Sequence, residues 1–456
     1  MEEETRTNDL ARVLSGLRDY TVLDASETSD GLVVEVIASR LDAPCPVCKK
    51  VSDRVKSYRT SIVIDSHSHG RRCRLLVRRR AFRCVTAGCE RKSFTEATSE
   101  VPYRARVTTR CRDQIGRAGR DRPTASVAAE FDVSWPTACK AIKTQAERVV
   151  SQRSKTPPRR LGIDETRFWW KVPWLTGLVD LDTGELVEVI EGRTSKTVTD
   201  WLETLSDNDQ ASIKVVVCDP HAGYRHAITT SLEQATVVVD RFHVAMLANK
   251  AVTDVRRRRI WEQQDRRGRK IDPGWRARRD LCRRSETVTD NGWSRIIAAM
   301  QADVGPDANS VEGELAWTWS AKEYLTWIYD RAINRAHAHR QLLWWYGYVA
   351  EHPVPELIRL ATTISNWETE FLAYFDTRAT NGVTEGLNRV IKHVKRLGFG
   401  YRNTDNYRLK ILYRCQPLQS IPPATTDPTG VLQCVCKWGL VLMVRDWVSW
   451  AGKDLM

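Results

Sequence analysis

Between Leu161 and Asp240 the chain sets short apolar runs and turn signals in an order that few folds accommodate. Leu161-Gly162-Ile163-Asp164 reads as a short strand closed by an acid. Trp174–Leu181 and Glu185–Glu191 read as two strands joined by Asp182-Thr183-Gly184, a hairpin signal. A helix follows over Ser195–Leu205. The run Ile213-Lys214-Val215-Val216-Val217-Cys218-Asp219 is a second strand that ends on an acid. A helix near Tyr224–Leu232 and the strand Ala235–Asp240 complete the series. Strand, hairpin, helix, strand, helix, strand makes this half of the chain α/β.

That order is the order of an RNase H-like core, which needs one more helix. The best candidate, Asn381–Arg396, arrives late: its Glu385 lies 166 residues after Asp219. The chain between is charged, helical in pattern and rich in tryptophan (Trp261, Trp275, Trp293, Trp317, Trp319, Trp327, Trp344, Trp345). It reads as a helical insertion over about residues 256–370, beginning near Arg256. Asp164, Asp219 and Glu385 then form a set of three acids, two at strand ends and one on a helix. Such a set can converge on two divalent cations, Mg²⁺ or Mn²⁺, which prefer a few carboxylates plus water and substrate phosphates. Two metals about 3.5–4 Å apart serve phosphoryl transfer. The bland alternative for either aspartate alone is a turn or cap residue after a buried strand.

Length and charge bound the rest. At 456 residues the chain suits two to four domains, and 42% hydrophobic content suffices for real cores. No run of eighteen uncharged apolar residues appears, so no membrane span is expected. Met1-Glu2-Glu3-Glu4 lacks the basic-then-apolar order of a signal peptide. We therefore expect a cytoplasmic protein whose twelve cysteines are metal ligands or buried thiols rather than disulfides. The net charge of +14 is concentrated at the front: residues 1–160 hold 32 Lys/Arg against 20 Asp/Glu. Such a surface attracts polyanions, and nucleic acid is the expected partner.

The basic front half divides further. A short helix (Leu10–Tyr20) and a strand (Gly31–Ala38) precede Cys45-Pro46-Val47-Cys48 and Cys84-Val85-Thr86-Ala87-Gly88-Cys89. Cys45, Cys48, Cys84 and Cys89 can supply a closed, structural tetrahedral zinc site. Cys73–Arg78 and Phe82 fit strands between the two halves. His67 and His69 are alternative ligands, or simply polar strand residues. The basic run Arg71–Arg83 is a candidate DNA-contacting surface. Residues 105–150 look helical. Thr124–Phe131 can form one helix with Val127, Ala128 and Phe131 inward. After an Asp132-Val133 turn, Ser134 caps a second helix with Pro136 in its first turn. Ala138, Ala141 and Ile142 face in; Thr137, Lys140, Lys143 and Thr144 face out. That is helix-turn-helix geometry, in which the second helix reads the major groove. Residues 151–160, with Pro157-Pro158, read as a linker. The expected plan is a zinc module (1–100), a helix-turn-helix domain (101–150), the linker, a catalytic domain (161–415) and an atypical tail (416–456).

Around the acidic set, Val383, Leu387, Val390, Ile391 and Val394 make the expected buried face of the late helix. Glu385, Asn388, Arg389, Lys392 and Arg396 share another, suited to metal and DNA phosphates together. Asp240 would lie beside Asp219 if their strands are neighbours, as a supporting or alternative ligand. His243 is a candidate proton shuttle or phosphate contact, or a structural histidine. Glu165, which would point to the opposite strand face, and Asp180 are weaker carboxylate candidates.

These residues resemble a known family. Gly162-Ile163-Asp164-Glu165, Val217-Cys218-Asp219 with Gly223-Tyr224, Asp240-Arg241-Phe242-His243, and Asn381-Gly-Val-Thr-Glu385-Gly-Leu-Asn388 look like signatures of ISL-three insertion-sequence transposases, as does Lys395–Asn403. The cysteine arrangement and residues 124–144 resemble that family's zinc finger and helix-turn-helix. The resemblance covers roughly residues 40–415. It implies an RNase H-like catalytic domain of the DDE type, with Asp164, Asp219 and Glu385 as the metal-binding triad. It further implies Mg²⁺- or Mn²⁺-dependent strand cleavage and transfer at terminal inverted repeats, in a bacterial, nucleoid-associated setting. Synapsis of two DNA ends would call for a homo-oligomer. The residues leave two rivals open, a DNA-binding protein that lost catalysis and a nuclease that cuts without joining. Residues 416–456 depart from the family, and Cys434-x-Cys436 is a poor zinc half-site.

Overall fold

The computed structural model describes residues 13, 15–153, 156–168, 174–305 and 311–416. The tail after Gln416 therefore lies outside the described residues, as do residues 10–12 and 14 of the expected first helix. Val13 and Ser15 are helical, but the helix does not reach Tyr20. Gly16 turns left-handed (φ 65°), a conformation that stops helices, and Tyr20 already opens a strand.

The front half is built on one sheet. Strands β1 (Tyr20–Thr28) and β2 (Gly31–Ala38) form a hairpin, and β2 runs parallel to the long β6 (Arg71–Arg83). On the other side of β6 lies the equally long β5 (Val55–Ser68), which the sequence reading did not find. His69 and Gly70 join β5 to β6, both with positive φ (52° and 78°), as a two-residue turn between twisted strands requires. β3 (Ala43–Pro44), β4 (Val51–Ser52) and β7 (Ser93–Thr95) are the small strands around the four cysteines. The basic run on β6 is only partly a surface. Arg79 and Arg80 are buried: Arg79 Nε donates to Ser61, and Arg80 pairs with buried Glu96 at 3.3 Å. Arg74 reaches Asp132 at 2.7 Å, in the turn of the next domain.

Three helices follow: α1 (Thr109–Ala118), α2 (Thr124–Glu130) and α3 (Trp135–Ser151). Val127, Ala128, Phe131, Ala138, Ala141 and Ile142 are all buried, as their spacing predicts. Asp132 makes the turn with φ 53°. Ser134 sits at the cap position of α3, but its hydroxyl bonds Thr137 Oγ1 (2.8 Å) rather than the backbone.

The second half is α/β. Its sheet has the order β10-β9-β8-β11-β12, formed by β8 (Arg160–Arg167), β9 (Trp174–Asp180), β10 (Leu186–Glu191), β11 (Val215–Cys218) and β12 (Thr236–Val239). The first three are antiparallel; β8, β11 and β12 are parallel. Helices α4 (Ser195–Leu202), α5 (Asp207–Ser212) and α6 (Ala222–Ser231) fill the crossovers. Leu161, Ile163, Val216, Cys218 and Tyr224 make the core under one face.

Helix α7 (Arg241–Gln264) starts directly after β12 and runs unbroken through Arg256, so the helical segment begins at the sheet and not at residue 256. Apolar Val244, Ala248, Ala251, Val252 and Val255 carry α7 across the expected boundary inside one core. The short α8 (Pro273–Arg276) and α9 (Asp290–Val304), α10 (Glu314–Arg331), α11 (Arg335–Glu351), α12 (Pro355–Asn366) and α13 (Glu368–Thr377) complete the segment. Fully buried Trp345 ties α11 to α10, its Nε1 donating to Ala321 O at 2.9 Å. Val217, Val238 and Val239 of the sheet belong to the same core, which joins the helices to the β12 side.

Helix α14 (Gly382–Leu397) then crosses the other sheet face, and α15 (Thr404–Cys415) follows it. Ile391, Val394, Tyr407 and Ile411 bury against Leu175, Val179 and Val189. α15 also docks on the segment around α1: Tyr413 Oη donates to Gly116 O (3.1 Å), and Arg414 pairs with Asp121 at 2.6 Å.

Candidate metal centre and nucleic-acid surfaces

Strand register brings the acids together. Val217 pairs with Gly162, so two residues further on Asp219 comes level with Asp164. Cys218 pairs with Val239, which sets Asp219 beside Asp240, as expected for neighbouring strands. Asp164 does not end its strand. β8 continues to Arg167 because β9 still pairs with it there, whereas β11 accompanies it only to Gly162. Asp164 thus stands where β8 outruns its parallel neighbour, and that leaves its side chain room.

Asp164, Asp219 and His243 offer ligand atoms that all lie within 4.8 Å of one another. His243, in the first turn of α7, holds its Nδ1 2.8 Å from Asp219 Oδ1 and 3.2 Å from Asp240 Oδ2. The contact to Asp240 is the one aligned as a hydrogen bond, and buried Asp219 Oδ1 meets the imidazole as an ion pair. Carboxylates drawn this close together are stabilised by a cation among them. Burial, and then the charge of Asp219, push the Asp164 carboxyl up to about 7. Burial would lower the His243 imidazole, but Asp219 and Asp240 together raise it to about 10. An Asp164 carboxyl that burial and Asp219 hold protonated, beside a second carboxylate, suits a hard divalent cation.

Helix α14, whose Glu385 and Asn388 the sequence places on a face toward the metal site, roofs the centre with Thr384 and Asn388. Its buried residues are Thr384, Asn388, Ile391 and Val394, while Val383 is exposed. The helix is therefore turned relative to the expected face, because polar Thr384 and Asn388 are what the centre takes in. Asn388 Nδ2 donates to Asp164 Oδ2 at 2.6 Å, and Asn388 Oδ1 is buried without a donor. Buried Asn381 brackets the helix start: its N–H donates to Asp240 Oδ1 (3.1 Å) and its Nδ2 to Ile163 O (3.0 Å). The signal was present as polar residues at 381, 384 and 388, spaced as one helix face. Glu385 lies outside the ligand group. It is half-exposed and pairs with Arg389 at 3.1 Å, one turn before Asn388.

The close approach of α14 explains Gly162. A Cβ there would stand 2.5 Å from Asn381 Oδ1 and 2.6 Å from Thr384 Oγ1. Gly162→Ala should therefore push α14 off β8, costing about 1–3 kcal/mol. The midpoint of urea unfolding reports it. Gly177→Ala is the control, since a Cβ there meets nothing nearer than 3.8 Å. Equal midpoints for the two variants would refute the explanation.

The remaining acids have structural duties. Glu165 points to the opposite face and accepts from Tyr224 Oη at 2.9 Å. Asp180 ties the β9–β10 turn, accepting from Asp182 N (2.8 Å) and Thr183 Oγ1 (2.9 Å).

At the other end of the chain, Cys45, Cys48, Cys84 and Cys89 form a second ligand group. Cys45 Sγ lies 3.9 Å from Cys89 Sγ, and Cys48 Sγ 3.6 Å from Cys84 Sγ. A tetrahedron with zinc–sulfur bonds of about 2.3 Å has edges of roughly 3.8 Å, so the four thiols fit that ion. His67 stacks on Phe131 (4.8 Å between centroids) and His69 bonds Ser68; neither joins the cysteines. On α3, Lys140 and Lys143 are exposed and Thr137 half-exposed; on α14, Arg389, Lys392 and Arg396 point to solvent.

A family model for ISL-three DDE transposases, described as Transposase, matches residues 161–411. The chain belongs to this transposase family. Its match takes in the whole second sheet, α14 and most of α15. The transposase is also similar to the transposase for insertion sequence element IS1001 of Bordetella parapertussis, 25% identical over 312 residues, 67% of this chain and 73% of that protein. It is similar to the transposase for insertion sequence element IS1557 of Mycobacterium tuberculosis, 25% identical over 259 residues. That match takes 54% of this chain and spans 57% of the relative, little more than half its length. No helix among the described residues is long and apolar enough to cross a membrane.

Proposed function

We propose that this chain binds the terminal inverted repeats of an insertion sequence and catalyses metal-dependent DNA strand cleavage and strand transfer. The observation that carries the reading is the meeting of Asp164 and Asp219 on neighbouring parallel strands, with the ligand atoms of both and of His243 within 4.8 Å of one another. The strand order, an antiparallel β10-β9-β8 meander continued by parallel β11 and β12, supports an RNase H-like core.

Asp164 and Asp219 would hold Mg²⁺ or Mn²⁺, which would supply activation of the attacking oxygen and stabilisation of the leaving one. Glu385 completes the triad by turning from Arg389, a solvent-screened partner worth little. Asp240 and Asn388 fix the orientations of His243 and Asp164. His243 carries a proton or meets a phosphate. In-line transfer asks mainly for positioning and charge stabilisation. Thr137, Lys140 and Lys143 on α3 face the DNA groove, and Arg389, Lys392 and Arg396 hold phosphates near the centre. The four cysteines hold a structural zinc ion. Pairing of two ends calls for a homo-oligomer acting on double-stranded DNA.

The test is incubation of the purified full chain with labelled duplexes of the element's own end, with Mg²⁺ or Mn²⁺. Cuts at the repeat boundary followed by joined products support the reading. Cuts without joining would reassign the chain as a nuclease, and binding without cuts as a DNA-binding protein.

A further inference from the structure

The turn after α14 holds an aromatic ring in open solvent. Phe399 is 93% exposed, more than any other large apolar residue among those described. Its backbone adopts φ 50°, a left-handed conformation that residues with side chains rarely take. The turn is nonetheless tightly made. Gly398, Phe399 and Gly400 donate to Val394 O (3.2 Å), Arg396 O (3.0 Å) and Lys395 O (3.1 Å). A Cβ at Gly398 would stand 2.5 Å from the ring of Tyr401, which in turn packs, tilted by 32°, against Tyr407 at 4.8 Å between centroids. Gly400 takes φ 100°. The buried side of the turn is thus fixed by Tyr401, and the strained residue is the one that projects.

A sequence that spends strain to hold an apolar ring outward implies a partner for the ring. The surroundings name its chemistry. No acidic residue lies between Glu385 and Asp405, while Arg389, Lys392, Lys395, Arg396 and Arg402 do. This stretch attracts a polyanion, and a flat aromatic ring stacks on the π-face of a base. It also ends the helix whose Asn388 bonds Asp164. We propose that Phe399, roughly 16 Å along the helix from Asn388, stacks on a nucleobase unpaired from the DNA end several nucleotides from the scissile position, with Arg396 and Arg402 on the flanking phosphates. The inference rests on the transposase reading above and adds a base-binding element to it.

The test uses the full chain carrying Asp164→Asn, so that bound DNA stays uncut, and element-end duplexes with 2-aminopurine at successive positions near the repeat boundary. The probe sits next to each tested base, so its emission rises when that neighbour leaves the stack and is not quenched by the ring of residue 399. We expect a several-fold rise at one or two adjacent positions, lost with Phe399→Ala and kept with Phe399→Trp, while gel mobility shows end binding by all three. A rise that survives Phe399→Ala, a rise lost equally with alanine and tryptophan, or no rise at any position would overturn the proposal. So would a Phe399→Ala chain whose change is loss of self-association without DNA, since a second copy would then be the ring's partner. An intact chain that neither binds nor cuts the repeat would bring down the transposase reading, and this inference with it. Normal binding and cutting with no response to Phe399 would bring down this inference alone.

Discussion

Asparagine at position 164 is expected to lower metal-dependent cleavage of element-end DNA by on the order of 10³-fold or more, equivalent to about 4 kcal/mol of barrier, with end binding unchanged. The substitution keeps the shape of the side chain and the reach of Asn388, so α14 stays seated. It removes the charge that a divalent ion needs. Because the substitution leaves the basic side chains of α3 and α14 unaltered, the proposed DNA contacts should survive. Nicking at an undiminished rate would sink the assignment of Asp164. The pH dependence gives a second reading of the same site. The carboxyl of Asp164 lies near 7 in the metal-free fold, above its ordinary value. A raised carboxyl pKa stabilises the fold fully below the unfolded value and loses that contribution as pH rises through about 7. The metal-free wild-type chain should therefore weaken between pH 5 and pH 8, and Asp164→Asn should weaken less. Calorimetric melting of both proteins at the two pH values checks this. A constant offset, such as one lost hydrogen bond, cancels in the comparison; parallel curves would contradict the buried-pair account. Added Mg²⁺ should raise the wild-type melting temperature at pH 8 and leave the variant nearly unmoved.

The sequence carried the second half of the fold well, and for a physical reason. Buried parallel strands such as Val215–Cys218 and Thr236–Val239 are nearly continuous apolar runs, and the acids that close them interrupt the pattern visibly. Tertiary pairing decided the rest. Asp164 looked terminal because the apolar run stops there, yet β9 carries β8 on through Glu165-Thr166-Arg167. Strand β5 escaped notice because its first half is polar and exposed, and pairing with β6 defines it. Arg79 and Arg80 read as surface charge; the partners that let them be buried, Ser61 and Glu96, are 18 and 16 residues away. The rotation of α14 was misjudged by hydrophobicity alone, since its inward face includes Thr384 and Asn388. A helix that roofs a polar centre buries polar residues, and the rule that apolar residues point inward fails at such a site. The same rotation leaves Glu385 beside Arg389, where bound metal and DNA would have to draw it inward.

Cys45→Ser is expected to empty the cysteine cluster of zinc and to weaken element-end binding by at least about tenfold, roughly 1.4 kcal/mol. Only Ala43, Cys45, Phe82, Cys89 and Phe94 form the buried core around the cluster. A core of this size cannot offset the entropy of ordering β3, β4 and β7, and a structural zinc ion contributes apparent binding energies of about 10–16 kcal/mol in small modules. Serine cannot replace a thiolate for zinc, so the small strands should unfold. The loss should stay local. The neighbouring sheet has its own core of Leu17, Tyr20, Val36, Val63, Leu75 and Val77. Asp164 and Asp219 sit on a different sheet. Far-ultraviolet circular dichroism should therefore change little while zinc falls from one ion per chain toward none. Cys73→Ala separates the cluster from cysteines in general: Cys73 is buried, its thiol pushed up to about 11 by burial, and it stands outside the quartet. That variant should keep its zinc. If Cys45→Ser also kept it, the ion would be held elsewhere. If it lost zinc but bound DNA normally, the module would support folding without contributing to DNA binding, leaving recognition to α3.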